Sequence, residues 1–134
     1  MAILTGTASW TDKTLIACGR FYPPEAKSAE ARLRHYASVF PTVEVDSSYY
    51  AMPSATNAAL WVERTPQDFV FDVKAFRLFT GHQTNVDVLH QDIQAALGAT
   101  SKQLYYKDVP QEVREELWRR FKQALWPLKT AGKL

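Results

Sequence analysis

The chain has 134 residues, 46% of them hydrophobic and 22% charged, with a formal net charge of +2. That length suits one domain with a real core and falls well short of the roughly 250 residues of an eight-unit parallel barrel. The composition excludes a disordered or fibrous chain, the apolar runs are too short to cross a bilayer, and the charge is too small to argue for nucleic acid by itself.

Residues Met1 to Trp10 hold no basic stretch followed by an apolar one, so the expected location is the cytoplasm. The run Ala2 to Thr7 predicts a buried first strand, and Asp12 to Pro24, with Gly19 and the Pro23-Pro24 pair, predicts a loop. Ser28 suits a helix N-cap, with Ala31, Leu33, Tyr36, Ala37 and Phe40 at helical spacing behind it and Pro41 as the stop. Thr42 to Asp46 predicts a second strand. Ser54 caps a second helix that Thr65-Pro66 closes, and Phe69 to Lys74 predicts a third strand. This alternation is the pattern of βαβ units in a parallel sheet, so the fold class is α/β.

From Ala75 to Val109 the pattern loosens into a long excursion with one helix through Val88, Leu89, Ile93 and Leu97, broken at Gly98. Its length is far above an ordinary βα loop and suggests a covering or functional insertion. Residues 110–131 then predict the strongest helix, with Val113, Leu117, Phe121, Leu125 and Leu128 as the apolar stripe and Gly132 as the cap. Glu115 with Arg119, and Glu116 with Arg120, are spaced as ion pairs on its exposed side. Trp61, Trp118 and Trp126 read as helix packing residues. A fourth strand is expected from Lys133, and a sheet of three strands leaves two edges open to pairing with other chains, including a second copy. The single cysteine, Cys18, cannot form an internal disulfide or a paired metal site and reads as a buried or half-buried thiol.

Several separated blocks resemble the YecE-like family of domains of unknown function. They are Gly6-Thr7-Ala8-Ser9-Trp10, Phe21-Tyr22-Pro23-Pro24, Val43 to Tyr50, Phe69 to Ala75, Thr80-Gly81-His82 and Leu125 to Leu134. The resemblance implies a TIM-like β/α barrel of which this chain is the first half, truncated after the third helix. Two departures stand out: Ala8-Ser9 replaces the family's usual Ser-Gly, and Asp46 replaces its usual Asn. Ser9 brings a side chain to a place where Gly leaves the backbone free.

In such a barrel the active site lies at the C-terminal mouth of the strands, so polar residues at strand exits are the candidates. Glu44, Lys74 and His82 are the candidate catalytic residues, and Thr7, Ser9, Trp10, Asp46, Ser47 and Tyr50 the candidate ligand-binding ones. A Glu and a Lys together can act as base and electrophile, or bind phosphate or carboxylate, and the bland alternative is an ion pair that orients strands. His82 suits proton transfer, and its surroundings lack the spacing of a metal site, so no metal ligand is assigned; the cofactor is unknown. His35 reads as a surface or packing residue. Tyr49 and Tyr50 with Trp10, Phe21 and Tyr22 form either an aromatic wall or core.

Two functions remain open on these residues. One is an enzyme-like mouth acting on a phosphorylated or anionic small molecule or nucleotide. The other is a non-catalytic module contacting nucleic acid or protein through Arg114, Arg119, Arg120 and Lys122. A truncated fragment without independent function is the third expectation.

Overall fold

In the computed structural model, residues 3–98 and 102–134 are described. Three parallel strands form the main sheet in the order β1 (Gly6–Ala8), β2 (Thr42–Val45), β3 (Val70–Val73). Gly6 stands opposite Thr42, and Thr42 opposite Val70. The chain is a mixed α/β protein with a parallel sheet.

The crossovers are set by local chemistry. Between β1 and β2 lie a short helix α1 (Lys13–Ala17) and α2 (Ala29–Val39). The Ser28 Oγ accepts from the Ala31 amide at 3.0 Å, and α2 ends where Pro41 cannot continue it. Between β2 and β3 lie α3 (Ser47–Tyr50) and α4 (Ala55–Glu63), the latter capped by Ser54 Oγ on the Asn57 amide at 3.1 Å. The loop expected over Asp12 to Pro24 holds α1, because Asp12 accepts the Thr14 and Leu15 amides and so supplies the cap that starts a helical turn.

The first strand differs from the expected run. Residue 2 lies outside the described residues, Ile3 and Leu4 are exposed at 86% and 46%, and pairing begins only at Gly6. The reason is a tight junction with β2. A Cβ on Gly6 would sit 2.0 Å from the Thr42 carbonyl oxygen, so only glycine admits this approach. One residue on, the buried Tyr36 hydroxyl is inserted into the ladder: the Thr7 amide donates to it at 2.7 Å and it donates to Thr42 O at 3.1 Å.

The pleat divides the sheet into a covered and an uncovered face. Val43, Val45 and Phe71 point into a core that also takes Leu33 and Tyr36 from α2, Ala58 from α4 and Leu117, Phe121 and Leu128 from α6 (Gln111–Thr130). Gly6, Ala8, Thr42, Glu44, Val70 and Asp72 share the opposite parity, and the side chains of Glu44, Asp46 and Lys74 at its exit keep 42%, 33% and 48% of their area in solvent.

The described residues of the excursion after β3 form regular structure. A two-stranded antiparallel ladder, β4 (Thr84–Asn85) with β5 (Gln103–Leu104), frames α5 (Gln91–Leu97), and Val86, Leu89, Ile93, Leu104 and Val109 join the common core. Gly98, at φ 52°, caps α5. The final helix α6 packs along α4 and ends in a Schellman motif: Gly132 takes φ 70°, and the Lys133 amide returns to Leu128 O at 2.9 Å.

In α6 the expected Glu116–Arg120 pair forms, while other details in and just after the helix depart from expectation. Glu116 holds both Arg119 and Arg120, at 2.7 Å each, while Glu115 takes Gln111 at 2.9 Å. Trp126 is 56% exposed rather than packed, because it lies off the stripe that faces α4; Trp118 stacks on Phe79 at 3.9 Å. Lys133 is 2% exposed, and its ammonium donates to Val62 O, Thr65 O and Thr65 Oγ1 at 2.8 to 3.0 Å, closing the C-terminal end of α4. Burial holds its pKa below the ordinary lysine value. The outer edge of β3 is not wholly open either, since the Phe71 amide donates to Lys133 O at 2.8 Å.

Candidate functional site

The ends of β2 and β3 are locked side by side by a buried serine. Ser48 Oγ lies 3.0 Å from Val45 O and 2.6 Å from Lys74 O, and the Lys74 amide donates to Val45 O at 3.2 Å. This clamp fixes the three ionised groups at the exit. Lys74 Nζ stands 3.2 Å from Glu44 Oε1 and 3.2 Å from Asp46 Oδ1. Asp46 and then Glu44 raise the lysine pKa above its ordinary value, so Lys74 stays protonated and serves as a fixed cation, not as a base. At this exposure the pairs add little stability, and their effect is to place charge.

Beside them stands Tyr49, from the turn that follows β2. The Lys74 ammonium lies 5.7 Å from its ring centre and the Arg77 guanidinium 5.5 Å, while the His82 ring meets it edge-on at 5.8 Å. Backbone bonds hold this group together: the Arg77 amide donates to Tyr49 O at 3.0 Å, and the His82 amide to Arg77 O at 3.1 Å. Thr80 Oγ1 sits 3.0 Å from Arg77 O and 2.8 Å from His82 Nδ1. Arg77 makes no ion pair among the described residues, and its Nε is buried without a hydrogen-bond partner.

Of the residues singled out from sequence, the fold therefore brings Glu44, Asp46, Lys74 and His82 to one rim. Tyr50 lies next to it, edge-on to Tyr49 at 5.1 Å and 62% exposed, and Ser47 is exposed at the start of the same turn. Thr7 is taken up by the Tyr36 hydroxyl, with its own Oγ1 3.0 Å away, and so belongs to the ladder. Ser9 adopts φ 65° and donates its amide to Glu44 O at 2.9 Å, while its Oγ accepts the Thr11 amide at 3.0 Å. Trp10 packs edge-on against Trp61 at 5.5 Å and Phe71 at 6.3 Å, on the covered side. Phe21 and Tyr22 pack with His35, which settles those rings as packing residues. The Tyr22 hydroxyl donates to Trp10 O, and burial pushes its pKa up to about 12, so it stays a donor.

Sequence reasoning passed over Arg77, and it named Thr80 and Tyr49 only within the family blocks and, for Tyr49, the aromatic wall. Arg77 is three residues past a strand exit, at the spacing of ordinary surface arginines; nothing but the turn built around Tyr49 O marks it. The cations of α6 are less free than they read: Asp92 and Glu116 hold Arg120, and Glu116 holds Arg119. Cys18 is exposed rather than buried, with its thiol on Leu15 O. Among the described residues, no group of three His, Cys, Asp or Glu side chains converges as a metal site, and no helix is long and apolar enough to span a membrane.

Residues 4–134 match a family described as "Protein of unknown function DUF72". The UPF0759 protein YunF of Bacillus subtilis (strain 168) is 33% identical over 132 residues, which is 98% of this chain and 37% of YunF. Two crystal structures of a DUF72 family protein (EF0366) from Enterococcus faecalis V583 are 25% identical, with TM-scores of 0.49 and 0.50; each match covers 76% of this chain and 32% and 29% of the other. The chain thus spans little more than a third of the length of the curated relative it matches.

Proposed function

This chain belongs to the DUF72 family, and from its rim geometry we propose that it binds a phosphorylated or otherwise anionic small molecule or nucleotide and performs acid–base chemistry on it. The observation that carries the reading is the division of charge around Tyr49. Lys74 is already neutralised by Glu44 and Asp46, whereas Arg77, on the same ring, has no carboxylate among the described residues. An unpaired guanidinium beside an aromatic face suits a phosphate or carboxylate joined to a planar group. Glu44 and His82 are the groups that exchange protons; Asp46 and Lys74 hold Glu44 in place, and Ser47 and Tyr50 border the ligand. Ser9 fixes the β2 exit through its backbone.

The same reading places the sheet at the opening of a β/α barrel. Among the described residues the helices pack on one face, the opposite face carries Thr42, Glu44 and Asp72, and the Phe71 amide pairs with Lys133 O on the outer edge of β3. A doubly wound sheet would cover both faces. In the barrel the rim is its C-terminal mouth, and the cytoplasm is the compartment we assign to it.

Ligand-dependent thermal shifts with inorganic phosphate, a sugar phosphate and nucleoside monophosphates test the site. One of these should raise Tm, and Arg77→Ala should weaken its Kd by about 10- to 100-fold, the equivalent of losing one or two charge-assisted hydrogen bonds. Glu44→Gln should retain binding and lose turnover of that ligand. Equal affinity in Arg77→Ala, or no shift with any anion, overturns the reading. Retained turnover in Glu44→Gln removes Glu44 from the chemistry.

A further inference from the structure

We infer that Thr80 sets the tautomer of His82, so that the neutral imidazole carries its proton on Nδ1 and offers Nε2 to the ligand as the base. Thr80 Oγ1 stands 3.0 Å from Arg77 O, and a carbonyl only accepts, so this contact uses the one proton the hydroxyl owns. The same oxygen stands 2.8 Å from His82 Nδ1. With its proton directed at Arg77 O, Thr80 can only accept there, and Nδ1 must be the donor. The other neutral tautomer, with its proton on Nε2, cannot satisfy both contacts. Nε2 is then left with its lone pair, and it has no hydrogen-bond partner among the described residues.

The turn is constructed to hold that state. The His82 amide bonds Arg77 O at 3.1 Å, Thr84 Oγ1 donates to His82 O at 3.0 Å, and the ring lies edge-on to Tyr49 at 5.8 Å. Backbone, ring and Nδ1 are thus all fixed, which is how a neighbouring group ordinarily orients a catalytic imidazole. Arg77 has a double part, since its carbonyl orients Thr80 and its guanidinium faces Tyr49. A ligand whose anionic group sits at Arg77 would present an adjacent O–H or C–H to Nε2. The proton passes to Nε2, the bonding electron pair stays on the ligand, and the imidazolium returns the proton to solvent through its exposed edge. Thr80 is in this scheme a positioning residue, and the catalytic part rests on the site proposed above.

Long-range 1H–15N correlation spectra of the histidine rings at about pH 8.5, where free imidazole is neutral, read the tautomer directly and without ligand. His82→Gln identifies the signal among the three histidines. The expected pattern has Nδ1 in the protonated range and Nε2 in the unprotonated range. Thr80→Val should move both shifts toward those of free imidazole, and Thr80→Ser, which keeps the hydroxyl, should preserve the wild-type pattern. A wild-type His82 with its proton on Nε2 overturns the inference, as does a wild-type pattern in folded Thr80→Val. Absence of anion binding would remove the site reading while leaving this tautomer standing, so the two fail separately.

Discussion

Ser9 holds a left-handed backbone, φ 65°, at the point where β1 leaves the sheet. A side chain in this region costs about 1 kcal/mol, partly offset here because Ser9 Oγ caps the Thr11 amide at 3.0 Å. Ser9→Gly is therefore expected to raise stability by about 0.5 kcal/mol, and Ser9→Val, which adds a branched Cβ and loses the cap, to lower it by about 2 kcal/mol. Urea midpoints at constant m would show this order; a Val variant as stable as the Gly one would mean that φ is not strained. The oddity of Ser9 was legible from the residues alone, since Gly is the usual occupant in the family it resembles, but the reason required φ. Glu44, Asp46 and Lys74 were legible because strand exits can be counted in sequence. The grouping of Arg77, Thr80 and Tyr49 was not, because it is made by tertiary contacts, the Arg77 amide on Tyr49 O, the Arg77 guanidinium on the Tyr49 ring and Thr80 Oγ1 on Arg77 O, that no local pattern encodes.

Among the elements, the helix starts at Ser28 and Ser54 could be read directly, because a hydroxyl before an apolar period is both the signal and the physical cap. The insertion could not. Its order comes from the β4–β5 ladder between distant segments, which no local period encodes. Its anchor to the rest is electrostatic as well as apolar: Arg120 of α6 bonds both Asp92 oxygens at the start of α5 and also Glu116. Arg120 holds the Asp92 carboxyl, and Arg119 and then Arg120 hold the Glu116 carboxyl, at about 2, below their ordinary 3.8 and 4.5. A depressed carboxylate pKa stabilises the fold above its unfolded value and ceases to do so as pH falls through the folded one. Stability should thus decline between about pH 4.5 and pH 2, with the loss starting at the insertion. Hydrogen exchange on the α5 amides across this range checks it. In Asp92→Asn the α5 protection should be lower at pH 7 and respond less to acid; an unchanged acid response would show that the clasp does not hold the insertion.

For the whole molecule, the decisive feature is the pair of sheet edges. Among the described residues, Gly6–Ala8 has no strand neighbour beyond β2 on one side, and on the other the outer edge of β3 is met only at the Phe71 amide. Beside that second edge Trp118, Phe121, Leu125, Trp126 and Leu134 line an apolar groove of about 510 Å³, flanked by Lys122 and Lys129. In the proposed barrel the next βα unit fills both the edge and the groove, and curated YunF has the length to supply it. We propose that in this chain by itself the same surface pairs with a second copy, since a strand edge with an adjoining apolar face is the arrangement that promotes pairing. Light scattering at about 100 µM, a concentration that reveals even weak pairing, should give a mass above the 15.2 kDa of one chain. Trp126→Lys, at a position 56% exposed and outside the core, should shift the mass toward the monomer without loss of helical signal. A wild-type monomer at that concentration would mean that Lys133 and the lysine rim already protect the edge, and the groove would then have to be explained by something other than a missing neighbour.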